Sequence, residues 1–412
     1  MSRVESSGKP VRLPRTPQPA LQPAPRIDLH YPASWRRIPV MRPQLPAAKR
    51  LLPYLQRIDA SRTYSNHGPL VGEFHARMAG SLGLPRDAVA SANSGTSALV
   101  GAILASAGRA RPERPLALIP AYTFVATAAA VEQCGYQPIL ADIDVDSWML
   151  DPECAAEHPR LGEIGLVVPV APYGKPVPQA PWEAFREQTG IPVVIDAAAS
   201  FDCLQAAPDT GIGEVPIALS FHATKSFGIG EGGAVACTNL DLVQRTVQAL
   251  NFGFMGSRDS GCASINGKLS EYHAAVGLAE FDGWTDKRAA FVHVAALYRR
   301  QFDLVGLGDM LVSMPETSAC YVLLECSNRV EAGRIATVLL DCGVESRYWY
   351  GDGIHRHRNY RDVLRGPLTA TAQVASRVLG LPCAVDLEEA DIARVAMAVK
   401  MAVTEREPTW WG

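Results

Sequence analysis

Short apolar runs and helix-like segments alternate along most of this chain. Runs of four to eight apolar residues that are bounded by polar or turn residues predict buried strands. They lie at 116–119, 138–141, 164–171, 192–195, 216–221 and 233–237. Between them, apolar positions recur at the spacing of amphipathic helices. This alternation predicts an α/β domain with a mainly parallel sheet, whose ligands bind beyond the carboxyl ends of the strands.

The predicted helices fill the intervals between the strands. They lie at 46–58, 71–82, 94–107, 121–135, 182–188, 240–250 and 270–297, the last capped by Ser270. Further along, a strand at 321–326 and helices at 330–342 and 388–403 predict a smaller α+β domain. We therefore expect a large α/β domain over 38–285 and a small C-terminal α+β domain over 286–412.

Residues 1–37 differ from the rest of the chain in composition. They contain several arginines together with Pro10, Pro14, Pro17, Pro19, Pro23, Pro25 and Pro32. Proline lacks a backbone N–H and favours extended backbone, so this segment is predicted to form no core. We interpret it as a passive extension, with contact to a partner subunit as the alternative.

One lysine stands in a loop of small residues between two predicted buried strands. Lys225 follows the strand at 216–221, and several glycines, among them Gly228 and Gly232, follow it. A lysine beside a buried strand end is costly unless its amine is used. One use is a Schiff base with a carbonyl group, and the commonest such partner in enzymes is pyridoxal 5'-phosphate (PLP). The glycines would let the backbone approach a flat cofactor closely.

The same loop contains the G-x-G-x-x-G spacing of a dinucleotide-binding turn, at Gly228, Gly230 and Gly233. That motif needs a strand before it and a helix after it. Here a strand-like run follows, so nucleotide binding by this motif is not predicted.

Two segments are candidates for binding an anion. Ser94-Gly95-Thr96-Ser97 opens a long Ala/Leu-rich helix, where free N–H groups and the helix dipole attract negative charge. Plain N-capping by serine or threonine explains the same residues. His355-Arg356-His357-Arg358 could bind a phosphate, although such a charge run is usually a solvated face.

Asp196 directly ends an apolar strand. A lone aspartate in that position is most often a helix N-cap. With a PLP lysine downstream, a second role becomes available, because a carboxylate beside the pyridine nitrogen keeps that nitrogen protonated and the ring an electron sink. The residues alone leave both interpretations open.

Composition excludes several classes of protein. Hydrophobic residues make up 48% of the 412 positions and charged residues 20%, as in ordinary globular proteins, and the net charge is -3. Nothing in this balance predicts a nucleic acid or membrane partner. No stretch approaches ~18 consecutive apolar residues, so no transmembrane helix is expected. The N-terminus has basic residues but no apolar region, so a signal peptide is not expected either. The nine cysteines include no C-x-x-C pair, which predicts buried thiols in a reducing cytoplasm.

The ordered motifs together resemble the DegT/DnrJ/EryC1/StrS family of PLP-dependent aminotransferases, over about residues 38–405. The motifs are Tyr64-Ser-Asn-x-Gly-Pro, Asn93-Ser-Gly-Thr-Ser-Ala-Leu99, Pro120-Ala-Tyr-Thr-Phe-Val-Ala-Thr127, Asp196-Ala-Ala, Ser220-Phe-His-Ala-Thr-Lys225, Glu231-Gly-Gly233, Asn266-x-Lys-Leu-Ser-Glu271 and Leu381-Pro382. The resemblance implies a fold type I PLP-dependent transferase, with a mainly parallel seven-stranded sheet in the large domain. It also implies transamination of keto sugars, mostly nucleotide-linked, in amino-sugar biosynthesis.

The resemblance assigns roles position by position. Lys225 would form the Schiff base and move protons, and Asp196 would pair with the pyridine nitrogen. Phe124 matches the aromatic residue that stacks on the cofactor ring. Gly95, Thr96, Ser97 and Ser220 match residues at the phosphate. Asn266 and Lys268 match a segment that reaches the phosphate of the neighbouring subunit's cofactor, which implies a homodimer.

One position departs from the family pattern. Three residues after Asp196, family members usually carry Gln or His near the ring oxygen, and here Ala199 stands. We expect Ser200 or a water to replace that hydrogen bond, or the tuning of the ring to differ.

The resemblance implies glutamate as the amino donor and leaves alternatives for the reaction. One is another PLP reaction on the same scaffold, by a cyclitol aminotransferase, a dehydratase or a lyase. Another is a PLP-binding regulatory protein without catalysis. In a dehydrating subgroup of the family, histidine replaces the lysine, so the presence of Lys225 favours transamination.

Overall fold

The computed structural model describes residues 36–206, 211–312 and 318–404. Most of the predicted proline-rich extension, residues 1–35, lies outside the described residues. The described strands are β1 Val89–Ala92, β2 Leu116–Pro120, β3 Gln137–Ala141, β4 Ile164–Val167, β5 Ile195–Asp196, β6 Ile217–Ser220, β7 Gly233–Ala236, β8 Val322–Glu325, β9 Leu364–Arg365 and β10 Val378–Leu381. The described helices are α1 Ala48–Ser61, α2 Pro69–Ser81, α3 Gly95–Ser106, α4 Val125–Gln133, α5 Pro152–Ala156, α6 Gln179–Thr189, α7 Phe201–Ala206, α8 Leu240–Leu250, α9 Glu271–Leu304, α10 Arg329–Asp341, α11 Thr369–Arg377 and α12 Glu389–Thr404.

Two four-stranded sheets meet edge to edge in the larger part of the molecule. Their orders are β1-β7-β6-β5 and β4-β2-β3-β9, and parallel bridges from Val167 to Val193 and from Val170 to Asp196 join β4 to β5. In these two sheets, the two strand pairs that include β7 are antiparallel, and the other strand pairs are parallel. The predicted mainly parallel sheet is therefore confirmed, with β1 to β7 as its seven strands and β9 added at one edge.

Helices cover both faces of this sheet, because its strands alternate apolar side chains between the two faces. Leu118 of β2 belongs to a core that includes residues of α2, α6 and the start of α9. Its neighbours Ala117 and Ile119 belong to the opposite core, with residues of α3, α4 and α8. This layered arrangement is typical of α/β folds and places the carboxyl ends of the parallel strands at one rim.

A third core forms around the antiparallel pair β8 and β10. Residues of α10 and α12 and the second half of α9 pack there. Helix α9 thus connects two cores: Trp284 packs in the core that contains Leu118, and Phe291 packs in the core around β8 and β10. The predicted domain boundary at residue 285 falls inside this helix, and the division into domains stays a prediction.

The structure corrects several element boundaries. The helix predicted from residue 121 begins at Val125, because the extended residue Phe124 is its N-cap. The strand predicted over 164–171 ends at Val167, and the chain continues beside β5 through single bridges. Sequence patterning missed β1, whose alanines and serine have little preference for strands and pair along β7.

None of the helices in the described parts of the chain combines the length and the apolar composition needed to cross a bilayer.

Candidate active site

The carboxyl ends of β5 and β6 carry two of the predicted site residues. Asp196 is the last residue of β5 and Ser220 the last residue of β6. The strands are parallel neighbours with Asp196 opposite Ala218, and the Ser220 N–H donates to the Ala198 carbonyl oxygen at 3.2 Å. Both side chains therefore lie at the same rim of the sheet.

The start of α3 packs directly against Ser220. Ser94 is the N-cap, and its Oγ accepts a hydrogen bond from the Ser97 N–H at 3.0 Å. A Cβ at Gly95 would lie 2.5 Å from the Ser220 Cβ, and a Cβ at Gly233 would lie 2.5 Å from the Ser94 carbonyl oxygen. Glycine is required at both positions for this approach. The helix N-terminus that was predicted to bind an anion thus faces the rim.

Asp196 is buried beside uncharged hydrogen-bond donors. Its exposed fraction is 8%; Oδ2 accepts from the Thr127 hydroxyl at 2.7 Å and Oδ1 from the Ala198 N–H at 3.2 Å. Burial raises the pKa of Asp196, while these hydrogen bonds and the charge of Lys225 lower it. A buried carboxylate of this kind is costly until a cationic group pairs with it.

Lys225 lies in the loop between β6 and β7 and reaches the C-terminal core. Its Nζ donates a hydrogen bond to the Tyr321 hydroxyl at 3.3 Å and lies 5.9 Å from the centre of that ring. Tyr321 precedes β8 and is 8% exposed. Burial raises the pKa of Tyr321 well above its usual value, so its hydroxyl keeps its proton at neutral pH.

Aromatic side chains form a wall behind this lysine. The Tyr122 and Tyr173 hydroxyl oxygens share a hydrogen bond of 2.7 Å. The Tyr173 ring stacks on Tyr350 at 4.8 Å and meets Tyr321 edge to face at 5.5 Å. These residues come from distant parts of the chain and form one connected aromatic cluster, which Lys225 contacts through Tyr321.

Phe124 and Ala199 occupy contrasting surroundings at this rim. Phe124, the N-cap of α4, is 60% exposed, so its ring is available to a ligand. Ala199 is buried in the same apolar cluster as Tyr122 and Tyr173. The adjacent Ser200 hydroxyl is fully buried and has no hydrogen-bond partner among the described residues.

The Asn266–Lys268 segment lies next to Asn93, two residues before α3 begins. The Asn93 N–H donates to the Gly267 carbonyl oxygen at 2.7 Å, and the Asn93 side chain donates to the Asn266 carbonyl oxygen at 3.3 Å. Lys268 Nζ donates to Asn266 Oδ1 at 2.8 Å and lies over the Phe252 ring. Asn266 is exposed, and burial lowers the pKa of Lys268.

These residues fit PLP as a ligand. The start of α3 with Ser220 offers small polar groups and free N–H donors to a phosphate. Asp196 offers a buried carboxylate to a protonated ring nitrogen. Lys225 offers an amine, and Phe124 offers an exposed ring for stacking. The fold and the site together define a PLP-dependent enzyme of the α/β type.

Comparison with known proteins identifies the family. The model of the DegT/DnrJ/EryC1/StrS aminotransferase family matches residues 47–400. Protein Mb3436c of Mycobacterium bovis is 32% identical over 90% of this chain and 91% of its own length. A dTDP-4-amino-4,6-dideoxy-D-glucose transaminase of Shigella dysenteriae is 26% identical over 84% of this chain and 94% of its own. The crystal structure of DesI with its TDP-sugar product has a TM-score of 0.79 and 30% identity, over 91% of this chain and 95% of that one.

The chain belongs to the DegT/DnrJ/EryC1/StrS aminotransferase family. The predicted fold, the predicted class of enzyme and its cofactor PLP are thereby confirmed.

Sequence analysis did not find every residue at this rim. It predicted a strand over 321–326 without the contact of Tyr321 to Lys225, and it did not single out the hydrogen bond of Thr127 to Asp196. A signal was present for Thr127, since it is the last residue of the motif that contains Phe124. Tyr321 gave none, because it is 96 residues from Lys225 in the chain.

Proposed function

We propose that this enzyme transfers an amino group to a keto sugar that is linked to a nucleotide, with Lys225 as its catalytic residue. The observation that carries the proposal is the convergence of Lys225, Asp196, Ser220 and the start of α3 at one rim. A single binding event could engage all of them. The choice of a sugar substrate is supported by relatives that are named for such substrates.

Each residue has a separate task in this reaction. PLP, when bound, supplies an aldehyde carbon that takes up the amino group and a ring that accepts electrons. Lys225 Nζ takes the proton from the donor's α-carbon and returns it at the cofactor's C4′ carbon, as general base and then general acid. Asp196 would hold the proton on the ring nitrogen. The free N–H groups at the start of α3, with the hydroxyls of Thr96, Ser97 and Ser220, would bind the phosphate.

The substrate class follows the relatives. The structure of DesI contains a TDP-sugar product, and the Shigella relative is named as a dTDP-amino-sugar transaminase. We infer that this enzyme likewise takes a nucleotide-linked keto sugar, for amino-sugar biosynthesis. We propose glutamate as the amino donor.

We propose that the protein acts as a homodimer. Several large apolar side chains are exposed near the Asn266–Lys268 segment. They are Tyr64 at 49%, Tyr272 at 47%, Phe252 at 45% and Met255 at 48%. Tyr64 and Tyr272 stack on each other at 6.2 Å, and Lys268 lies over the Phe252 ring. Exposed apolar side chains of this size often mark interfaces, and these lie beside the segment that is proposed to complete a partner's site.

We also propose a reducing, cytoplasmic location. Seven of the nine cysteines are buried, at 134, 203, 237, 320, 326, 342 and 383. Burial raises the pKa of the Cys134 thiol to about 12 and that of Cys237 to about 11. Thiols of this kind are unreactive core residues.

Reductive labelling tests the assignment of Lys225. Protein loaded with PLP should absorb visible light, and borohydride should bleach that band and fix the cofactor on Lys225. The Lys225→Ala variant should show neither the band nor turnover. Peptide mapping identifies the labelled lysine, and a label on Lys175 or Lys287 instead would contradict the proposal.

Substrate screening tests the reaction class. Adding glutamate to the loaded enzyme should shift its absorbance to that of the amine form. Adding nucleotide-linked keto sugars should then return the original band and give an amino sugar that mass spectrometry detects. A product that has lost water without gaining nitrogen would indicate a dehydratase, and an unchanged spectrum with every donor would indicate a regulatory protein.

A further inference from the structure

Asp202, in the first turn of α7, carries a carboxylate into the interior beside the lysine loop. Its exposed fraction is 4%. The Ser226 and Ser318 hydroxyls donate to its Oδ1 at 2.9 and 2.8 Å, and the Ala319 N–H donates to its Oδ2 at 2.7 Å. A buried carboxylate is tolerated only where hydrogen bonds satisfy it. All of these donors are uncharged, and none of them belongs to α7.

The donors come from the two segments that hold the amine of Lys225 in place. Ser226 is the residue after Lys225. Ser318 and Ala319 form the turn that leads into Tyr321, and the Tyr321 N–H donates to the Ser318 carbonyl oxygen at 2.9 Å. The hydroxyl of Tyr321 is in turn the hydrogen-bond partner of Lys225 Nζ. Asp202 therefore connects both ends of the Lys225–Tyr321 contact.

The same turn is also fixed to the aromatic wall. The Ser318 N–H donates to the Tyr173 carbonyl oxygen at 2.7 Å, and Tyr173 packs on Tyr321. The turn is thus held from two sides, by Tyr173 through its backbone and by Asp202 through its carboxylate. Of these two, Asp202 alone also binds the lysine loop.

We propose that Asp202 is a positioning residue that sets the location of the Lys225 amine by holding Ser226 and the turn before Tyr321 together. It does not touch the cofactor site itself and acts through hydrogen bonds. The proposal rests on the proposed role of Lys225. Catalysis by a general base depends on its exact position, so a small displacement of the Lys225 amine would slow the reaction.

The geometry separates the effect of hydrogen bonding from the effect of charge. In Asp202→Asn, the amide oxygen can still accept from the Ala319 N–H, and the amide nitrogen can donate to the two serine hydroxyls after they rotate. In Asp202→Ala, all three hydrogen bonds are lost. A positioning role therefore predicts rescue by asparagine and failure by alanine.

The test uses the PLP-loaded enzyme and its absorbance as a function of pH. We expect Asp202→Ala to move the midpoint of that titration and to lower kcat at least ~10-fold with KM for the amino donor little changed. Asp202→Asn should keep the wild-type midpoint and most of kcat. In a Tyr321→Phe background, Asp202→Ala should have little additional effect, because both changes break the same contact.

Asp142→Ala is the matched control. Asp142 also accepts hydrogen bonds from the Ala370 and Thr371 N–H groups and the Thr371 hydroxyl, at 2.7–2.8 Å, and from the Ile143 N–H at 3.0 Å. It follows β3 and binds the start of α11, not the lysine loop or the turn before Tyr321, so its variant should lose stability and keep the wild-type titration midpoint. If Asp202→Ala does not fold, Ser226→Ala removes only the link to the lysine loop and should shift the midpoint in the same direction.

The proposal would be overturned if folded Asp202→Ala kept the wild-type midpoint and kcat. If Asp202→Ala does not fold, the same result in Ser226→Ala would overturn it. Asp202 would then be only a structural residue. Asparagine behaving like alanine would also overturn it, since charge would then be the requirement. Borohydride labelling of the wild type distinguishes this failure from an error in the assignment of Lys225. A label on Lys225 keeps the proposed function even where the Asp202 proposal fails.

Discussion

At the scale of single residues, Asp196 shows how a ligand site can be costly to the protein that carries it. Burial raises the pKa of this carboxyl, so the ionised form is less favourable in the folded, cofactor-free protein than in the unfolded chain. The corresponding stability is present at low pH and is lost as pH rises from the unfolded pKa of about 3.9 through the raised folded pKa. Pairing with the protonated ring nitrogen of bound PLP would make the ionised carboxylate favourable in the folded protein.

Asp196→Asn is expected to separate the two roles of this residue. The asparagine oxygen can still accept from the Ala198 N–H, and the amide nitrogen can donate to the Thr127 hydroxyl oxygen after that hydroxyl rotates. The side chain cannot ionise. The cofactor-free variant should therefore melt at or above the wild-type temperature at neutral pH. It should bind PLP more weakly and transaminate at least ~100-fold more slowly, a loss of about 2.7 kcal/mol in transition-state stabilisation. Calorimetry and single-turnover absorbance measure these quantities, and near-normal turnover would show that Asp196 is only a structural cap.

At the scale of elements, the N-terminus of α3 depends on its close approach to β6. The Gly95 position leaves no room for a Cβ against Ser220, whose Cβ would be 2.5 Å away. The Ser94 cap and the Ser97 N–H are on the same turn. A displacement of this turn would carry the anion-binding N–H groups with it.

Gly95→Ala is expected to weaken PLP binding at least ~10-fold, because the turn must move away from Ser220. Gly80→Ala on α2 is the control, since a Cβ there would meet nothing within 4 Å. That variant should bind PLP normally and gain about 0.5–1 kcal/mol of stability, as a glycine in a helix becomes alanine. PLP affinity is measured by fluorescence titration and stability by urea unfolding. Equal PLP affinity in the two variants would mean that α3 does not hold the phosphate.

At the scale of the whole molecule, the proposed dimer determines whether Asn266 and Lys268 serve their own site or a partner's. Within one chain this segment lies beside Asn93. The exposed apolar patch around Phe252 lies at the same place. A sedimentation experiment at assay concentration should find a dimer.

Mixing two inactive variants tests the sharing of the site directly. Lys225→Ala and Lys268→Glu should each be inactive alone. After they are unfolded and refolded together, about a quarter of wild-type activity should return if Lys268 serves the partner's site, because half of the dimers then carry one intact site of two. No return of activity in mixed dimers would place Lys268 in the site of its own chain.

The sequence by itself determined the layered fold, the lysine loop and the family. Apolar periodicity encodes which side chains are buried, and runs of glycine and serine mark where backbone must approach a ligand. These are local properties, so they can be read from short stretches of the chain without knowing how the segments pack. The assignments of Lys225, Asp196 and the start of α3 drew on such local signals.

Only the tertiary structure decided which distant side chains meet. The partners of Lys225, Asp196 and Asp202 are separated from them by 96, 69 and up to 117 residues. Nothing in the local pattern around Tyr321 specifies Lys225 as its neighbour, and nothing around Ser318 specifies Asp202. Their contacts result from the packing of the C-terminal core against the rim of the sheet. Close packing sets the distances between side chains of different segments, and no local sequence pattern encodes those distances.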